Sequence, residues 1–329
     1  MVLDRDVINS DNTDESNLSE SNLSKSNNGE SNNKSENLNK INKNILISDL
    51  IRRLNIFFQN RGCIVIQPYS IVPIGAATFH PATVLYTLSE KNWNICWAQE
   101  CSRPDDSRNG NHPNRRQRFY QYQVIMKPAP DDTLEMVRDC LKYIGLDVDK
   151  NDIKFIKDDW KSPTLGATGI GWEVWCNGTE ICQLTYMQQL ASKSCAPVAL
   201  EITFGIERLA SHIQGVNNFN LLKYVDDENI NRRYNNILQI EEYQFAAYNV
   251  DLYNTEKLKN KFVECEKECH ILLDKKLCLL AYKFACESCD VFNLLCSKGV
   301  LSPIQKEEFT QRIRNLVRLI SDKWLEENR

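Results

Sequence analysis

The chain has no apolar run approaching the roughly 20 residues that span a bilayer, and so no membrane segment is expected. It also lacks a basic excess: 40 Lys and Arg stand against 44 Asp and Glu, a formal net charge of -4. That balance excludes a general nucleic-acid coat, which needs a strongly basic surface. Paired C-x-x-C signatures with His at zinc spacing are missing, although there are 13 cysteines. Without a secretory signal, these read as reduced thiols of a cytoplasmic protein, several packed as small hydrophobes. No internal repeat is found.

With 329 residues and 42% hydrophobic content, a sizeable core is available. Residues 9–40 are an exception, with 18 Ser or Asn among 32 positions. Such a segment buries too little to offset its ordering entropy, so residues 1–44 are expected to form a disordered leader. Order is expected from Ile45. Leu50, Ile51, Leu54, Phe57 and Phe58 recur at helical spacing, with Ser48 and Asp49 able to cap the start and Gly62 to stop it. "CIVIQP" then predicts a buried strand, and strand-like runs continue to about Thr203. One amphipathic helix, "DTLEMVRDCLKYIGL", interrupts them, and Asn177-Gly178 marks a hairpin. Beyond Gly205 the pattern is almost wholly helical. Strands followed by helices predict an α+β fold: an antiparallel sheet flanked by helices in a core over 45–225, then a helical domain over 226–329.

Three stretches carry candidate chemistry. "AQECSRPDDSRNGNHPNRRQRFYQYQVIMKP" places Arg103, Arg108, Arg115, Arg116 and Arg118 around one hairpin. Forked, permanently charged guanidinium groups suit phosphate, and an aromatic such as Tyr122 could stack on a base. Alternation puts Arg118, Tyr120 and Tyr122 on one side of the returning strand, with Phe119 and Gln121 on the other. A charged hairpin paired with Asp105 and Asp106 remains the competing reading. In "EITFGIERLASHIQG", Glu201 and Thr203 share a strand face. Arg208 sits in the first turn of a helix, against the dipole. In "TLGATGIGWEVWCNGTEICQLTYMQQ", Gly166, Gly169 and Gly171 permit close backbone approach. Glu173, Gln183 and Thr185 could hold a small ammonium group, or simply belong to a Trp-stapled hairpin.

From about Ile45 to Trp324 the chain resembles the α subunits of bacterial-type heterotetrameric glycyl-tRNA synthetases, which are class II aminoacyl-tRNA synthetases. The phrases that carry the resemblance, in family order, are "RGCIVIQP", "HPNRRQRFYQYQVIMKPAPD", "PTLGATGIGWEVWCNG", "QLTYMQQ", "EITFGIERLASHIQGV" and "FNLL". The resemblance implies adenylation of glycine by ATP with Mg²⁺, then transfer to tRNA(Gly). The implied partner is a glycyl-tRNA synthetase β subunit, with this chain a homodimer inside an α2β2 tetramer. It further implies that Arg103 and Arg208 are catalytic and that Arg103, Arg118, Tyr122 and Arg208 bind ATP. Glu173, Gln183, Thr185 and Glu201 would bind glycine, with Glu201 also a metal ligand, and Arg108, Arg115 and Arg116 would meet the tRNA acceptor end. Thr168 stands where the family usually has Trp, Leu200 where a Gly usually precedes the third phrase, and Ser102 where a second Arg is usual. Thr168 and Leu200 are expected to bear on the fit around glycine. A ligase loading a carrier protein and a non-catalytic relative that binds RNA or protein are the alternatives.

Overall fold

The computed structural model describes residues 45–328; the predicted leader lies outside them. Helix α1 (Ile47–Gln59) buries Ile47, Leu50, Leu54 and Phe58, the face its spacing predicts. Its start differs from expectation. The helix already includes Ser48 and Asp49, so neither caps it. Asp49 instead sits in the first turn, where a carboxylate suits the dipole, and pairs with Arg52 at 3.1 Å. The predicted buried strand shrinks to β1 (Ile64–Val65). It is an edge strand, and Ile64 is largely exposed.

The remaining strands are β2 (Trp93–Ser102), β3 (Arg118–Lys127), β4 (Ile153–Ser162), β5 (Ala167–Cys176), β6 (Thr179–Leu190) and β7 (Lys193–Gly205). Two short helical turns and helix α2 (Pro81–Val84) precede β2, and α3 (Thr133–Ile144) separates β3 from β4. The strands form one seven-stranded sheet in the order β1-β2-β3-β7-β6-β5-β4. Only the β1–β2 pairing is parallel. Asn177 and Gly178 both take positive φ, 49° and 81°, the combination that a tight two-residue hairpin requires.

Five further helices follow among the described residues: α4 (Ile206–Gln214), α5 (Glu228–Ala246), α6 (Thr255–Asp274), α7 (Cys278–Ser297) and α8 (Pro303–Glu327), the last with a Ser302/Gln305 capping box at its start. One sheet face is covered by α1, α3 and α4, where Leu54, Phe58, Val137 and Leu209 join Tyr122, Val124, Ile202 and Phe204 in a single cluster. On the opposite face, Ile95, Trp97, Ile125 and Ala199 share a cluster with Phe262 of α6, Tyr282 of α7 and Ile313 of α8. The expected boundary near 225 is therefore not a break in packing, because the C-terminal helices complete the core of the sheet.

That second face changes character along each strand. On β3 it runs Ile125, Gln123, Gln121, Phe119; on β7 it runs Ala199, Glu201, Thr203, Gly205; on β6 it runs Met187, Thr185, Gln183. The apolar ends lie under helices. The polar ends do not, and a cleft opens there.

Candidate active site

Arg103 follows β2 directly, and its backbone N–H donates to Gln117 O at 2.7 Å, closing the base of the β2–β3 hairpin. Its Nε donates to Gly75 O at 2.7 Å and its guanidinium lies 5.1 Å from the Phe119 ring centroid. The side chain is thus aimed over the polar end of the sheet. Arg208 enters from the first turn of α4, opposite. Its Nη1 donates to Glu180 Oε2 at 3.0 Å and to Glu180 O at 2.9 Å. This ion pair offsets the unfavourable position of a cation at a helix start. Between the two arginines lies a cleft of about 140 Å³, walled by Phe119 and floored by Gln121, Gln183 and Thr203. Past Glu180 and Arg208 it adjoins a wider recess of about 830 Å³.

The floor carries three separate sets of polar contacts. Gln121 Oε1 accepts from the Ala77 N–H at 2.8 Å, and Gln183 Nε2 donates to Asp158 Oδ2 at 2.8 Å. Thr203 Oγ1 donates to Gln123 Oε1 at 2.7 Å, while Gln123 Nε2 donates to the buried carboxylate of Glu201. Loss of solvation pushes the Glu201 carboxyl up to about 8, against the opposing pull of hydrogen bonds from Thr78 and Gln123. Glu207, also buried, accepts from the Tyr120 N–H at 3.0 and 3.1 Å. Burial pushes it up to about 7, with its own and the Tyr120 backbone N–H groups and the charges of Arg116 and Arg208 pulling the other way.

The expected residues divide sharply. Arg103, Arg115, Arg116, Arg208 and Gln183 line the cleft. Arg118 and Tyr122 do not reach it, because the pleat turns them to the opposite side of β3. Arg118 bonds to Glu100 and Glu241 and lies over Phe245. Tyr122 is fully buried beneath α1, its hydroxyl donating to Asn55 Oδ1 at 2.8 Å. Glu173 faces Gln183 in register but accepts from Trp175 Nε1 at 2.9 Å and lies outside the cleft lining. Thr185 is buried between Gly171 and Glu201. Of the loop arginines, Arg108 is fastened to Asp105 and to Ser297 O. Arg116 is buried and donates to Tyr224 Oη at 3.3 Å and Asn220 Oδ1 at 3.1 Å. Arg115 makes no ion pair among the described residues, which leaves its charge available to the cleft.

Leu200 belongs to the cluster under α1 and α3, alternating away from Glu201. It cannot shape the cleft directly, contrary to expectation. Phe119, Gln121, Thr203, Glu180 and Glu207 were not singled out from sequence as site residues, although they line the cleft. The signal for three of them was present: polar or aromatic side chains at every second position of β3 and β7, beside Arg103. All 13 cysteines are free thiols.

One mostly antiparallel seven-stranded sheet with helices on both faces is the fold that the resemblance to class II aminoacyl-tRNA synthetases predicts. Within that class the chain belongs to the glycyl-tRNA synthetase alpha subunit family, whose model matches residues 47–329. It is 43% identical over 289 residues to the glycine–tRNA ligase alpha subunit of Rickettsia canadensis, covering 87% of this chain and 99% of that protein. It is 42% identical over 287 residues to that of Rickettsia akari, covering 86% and 98%. Among solved structures, the pyrrolysyl-tRNA synthetase of Desulfitobacterium hafniense aligns with a TM-score of 0.37 at 13% identity, over 57% of this chain and 76% of that one.

Proposed function

We propose that this chain activates glycine with ATP and, with a glycyl-tRNA synthetase β subunit, transfers the glycyl group to tRNA(Gly) in the cytoplasm. It would act as a homodimer within an α2β2 assembly. The observation that carries the reading is the placement of Arg103 and Arg208 on opposite flanks of one cleft, with Phe119 against it and a polar floor below. A glycine carboxylate oxygen attacks the α-phosphorus, the bond to the bridging oxygen breaks, and pyrophosphate leaves with that electron pair. Arg103 meets the charge that develops on the α-phosphate. Arg208 and Arg115 hold the remaining phosphates in the wider recess, and Phe119 stacks on the adenine. Fixed cationic donors at developing negative charge stabilise such a transition state without a covalent enzyme intermediate.

Glycine binds with its ammonium toward the Glu201–Gln123–Thr203 network. A buried carboxylate that titrates near neutrality gains a counter-ion when the ammonium arrives, and its pKa falls. Specificity is steric, since the substrate offers no side chain to grip and a filled floor rejects a larger one. Magnesium is expected to arrive on the ATP phosphates. Among the described residues no group of three His, Cys, Asp or Glu could hold a metal, and the Glu201 carboxylate is already committed to Gln123 and Thr78. No step is assigned to a protein-bound metal.

The test is ATP–pyrophosphate exchange with each amino acid, on this chain alone and with a matching β subunit. Exchange restricted to glycine is the expected result. Exchange with alanine or serine as well would reject the steric account, and absence of exchange with every amino acid, β present, would reject the functional reading.

A further inference from the structure

The cleft between Arg103 and Arg208 has neighbours on both flanks. Beyond Arg208 lies the wider recess described above. Beyond Arg103 lies a third recess of about 410 Å³, which shares Arg103 and Asp106 with the cleft, a size suited to one small ligand or nucleotide unit. Its walls come from three parts of the fold: the Gly75–Phe79 segment, the end of β4 with Trp160 and Lys161, and α7 with Asn293. Trp160 and Phe79 supply flat apolar surface. The Trp160 indole N–H, the Lys161 ammonium and the Asn293 amide make no hydrogen bond or ion pair among the described residues, although all three border the recess. Asp105 on the rim is neutralised by Arg108 at 2.9 Å.

This arrangement has a stereochemical consequence, which rests on the functional reading above. If the adenylate lies in the cleft with its base on Phe119, and pyrophosphate leaves by the recess beyond Arg208, the flank beyond Arg103 is the one left open. The acceptor hydroxyl must then approach from the flank that the nucleotide leaves free. We infer that the recess of Trp160, Lys161 and Asn293 receives the 3′-terminal nucleotide of the acceptor RNA. The base stacks on the indole, the amide reads its edge or ribose, and Lys161 meets the preceding phosphate. Base-on-aromatic stacking with a nearby cation is the usual way proteins hold an unpaired nucleotide. In the transfer step the ribose oxygen bonds to the glycyl carbonyl carbon, its proton passes to the departing phosphate oxygen, and the carbon–oxygen bond to AMP breaks. AMP leaves with that electron pair as the phosphate. The recess also relieves the loop of a task that Arg108 and Arg116, both engaged within the protein, are poorly placed to perform.

The experiment uses the full chain with its β subunit, wild type and the variants Lys161→Glu and Asn293→Leu. Pyrophosphate exchange with glycine and single-turnover transfer from preformed glycyl-adenylate to tRNA(Gly) are measured on each. Binding of intact tRNA is compared with binding of tRNA lacking its terminal adenosine. Exchange at the wild-type rate, which also certifies the fold, with transfer reduced about tenfold or more is the expected result, as is a weaker preference for intact over truncated tRNA. Normal exchange with undiminished transfer overturns the assignment. Loss of exchange in proportion to transfer also overturns it, since the recess would then belong to adenylation. Failure of the wild type to exchange with glycine would instead reject the functional reading on which the assignment stands.

Discussion

The two sides of β3 have opposite surroundings on the same ten residues. Phe119 and Gln121 line the cleft and Gln123 lies buried on the same face, while Tyr122 and Val124 point into a core closed by α1. Arg118, on the Tyr122 side, lies beyond that core in a surface cluster with Glu100 and Glu241. Chemically the two sets overlap, each offering aromatic rings and polar groups. What separates them is what lies above: helix on one side, open space between two arginines on the other. A side chain's surroundings here follow from which face of the pleat it occupies, and a shift of one position reverses them.

The sharpest way to break this comparison is to cut one arginine on each side. Arg103→Ala is expected to reduce glycine-dependent pyrophosphate exchange by about a thousandfold, typical of losing a donor to developing charge. Arg118→Ala, removing a half-exposed ion pair, should stay within about threefold of wild type. Equal losses would erase the distinction between the faces. Next come the rings. Phe119→Ala should raise the KM for ATP about tenfold, as expected for losing a base-stacking platform, with little change in Tm. Tyr122→Ala should leave a cavity costing about 3–5 kcal/mol, read as a lower urea midpoint. A Tyr122→Phe variant that lost ATP affinity without losing stability would return Tyr122 to the site.

A third prediction concerns Glu201. Its folded pKa of about 8 lies above the ordinary 4.5, so the folded state keeps a proton that the unfolded state has lost. The stabilisation is full below about pH 4.5 and is lost as pH rises toward 8, at up to about 1.4 kcal/mol per unit. Thermal melts across that window should show Glu201→Gln gaining on wild type as pH rises, while its exchange with glycine is lost. A constant difference in Tm would sink the idea. The smallest effect is expected at the other end of the chain: removing residues 1–40, which precede the family match, should leave exchange unchanged. A large loss would give that segment a function.

Periodicity carried much of this fold. The buried stripe of α1, the Asn177-Gly178 hairpin and the amphipathic helix after β3 all follow from spacing that one element can satisfy by itself. Alternation likewise grouped Phe119 with Gln121 and Arg118 with Tyr122. It could not say which group faced the cleft, because that depends on where α1 and the C-terminal helices dock, a long-range fact. The same limit explains the short β1: "CIVIQP" is apolar enough for a central strand, but the sheet places it at the edge. Glu201 and Thr203 were legible as one face of β7, while their bond through Gln123 required the neighbouring strand in register.

The continuous packing of Trp97, Ile125, Tyr282 and Ile313 bears on how this protein comes apart. A chain cut after residue 225 would remove Phe262, Tyr282 and Ile313 from the cluster that holds Trp97 and Ile125 of the sheet. The arginine-flanked cleft rests on that same sheet. Loss of glycine activation and unfolding of the last three helices should therefore occur in one cooperative step, so no smaller catalytic fragment can be freed from this chain by trimming it from its C-terminal end.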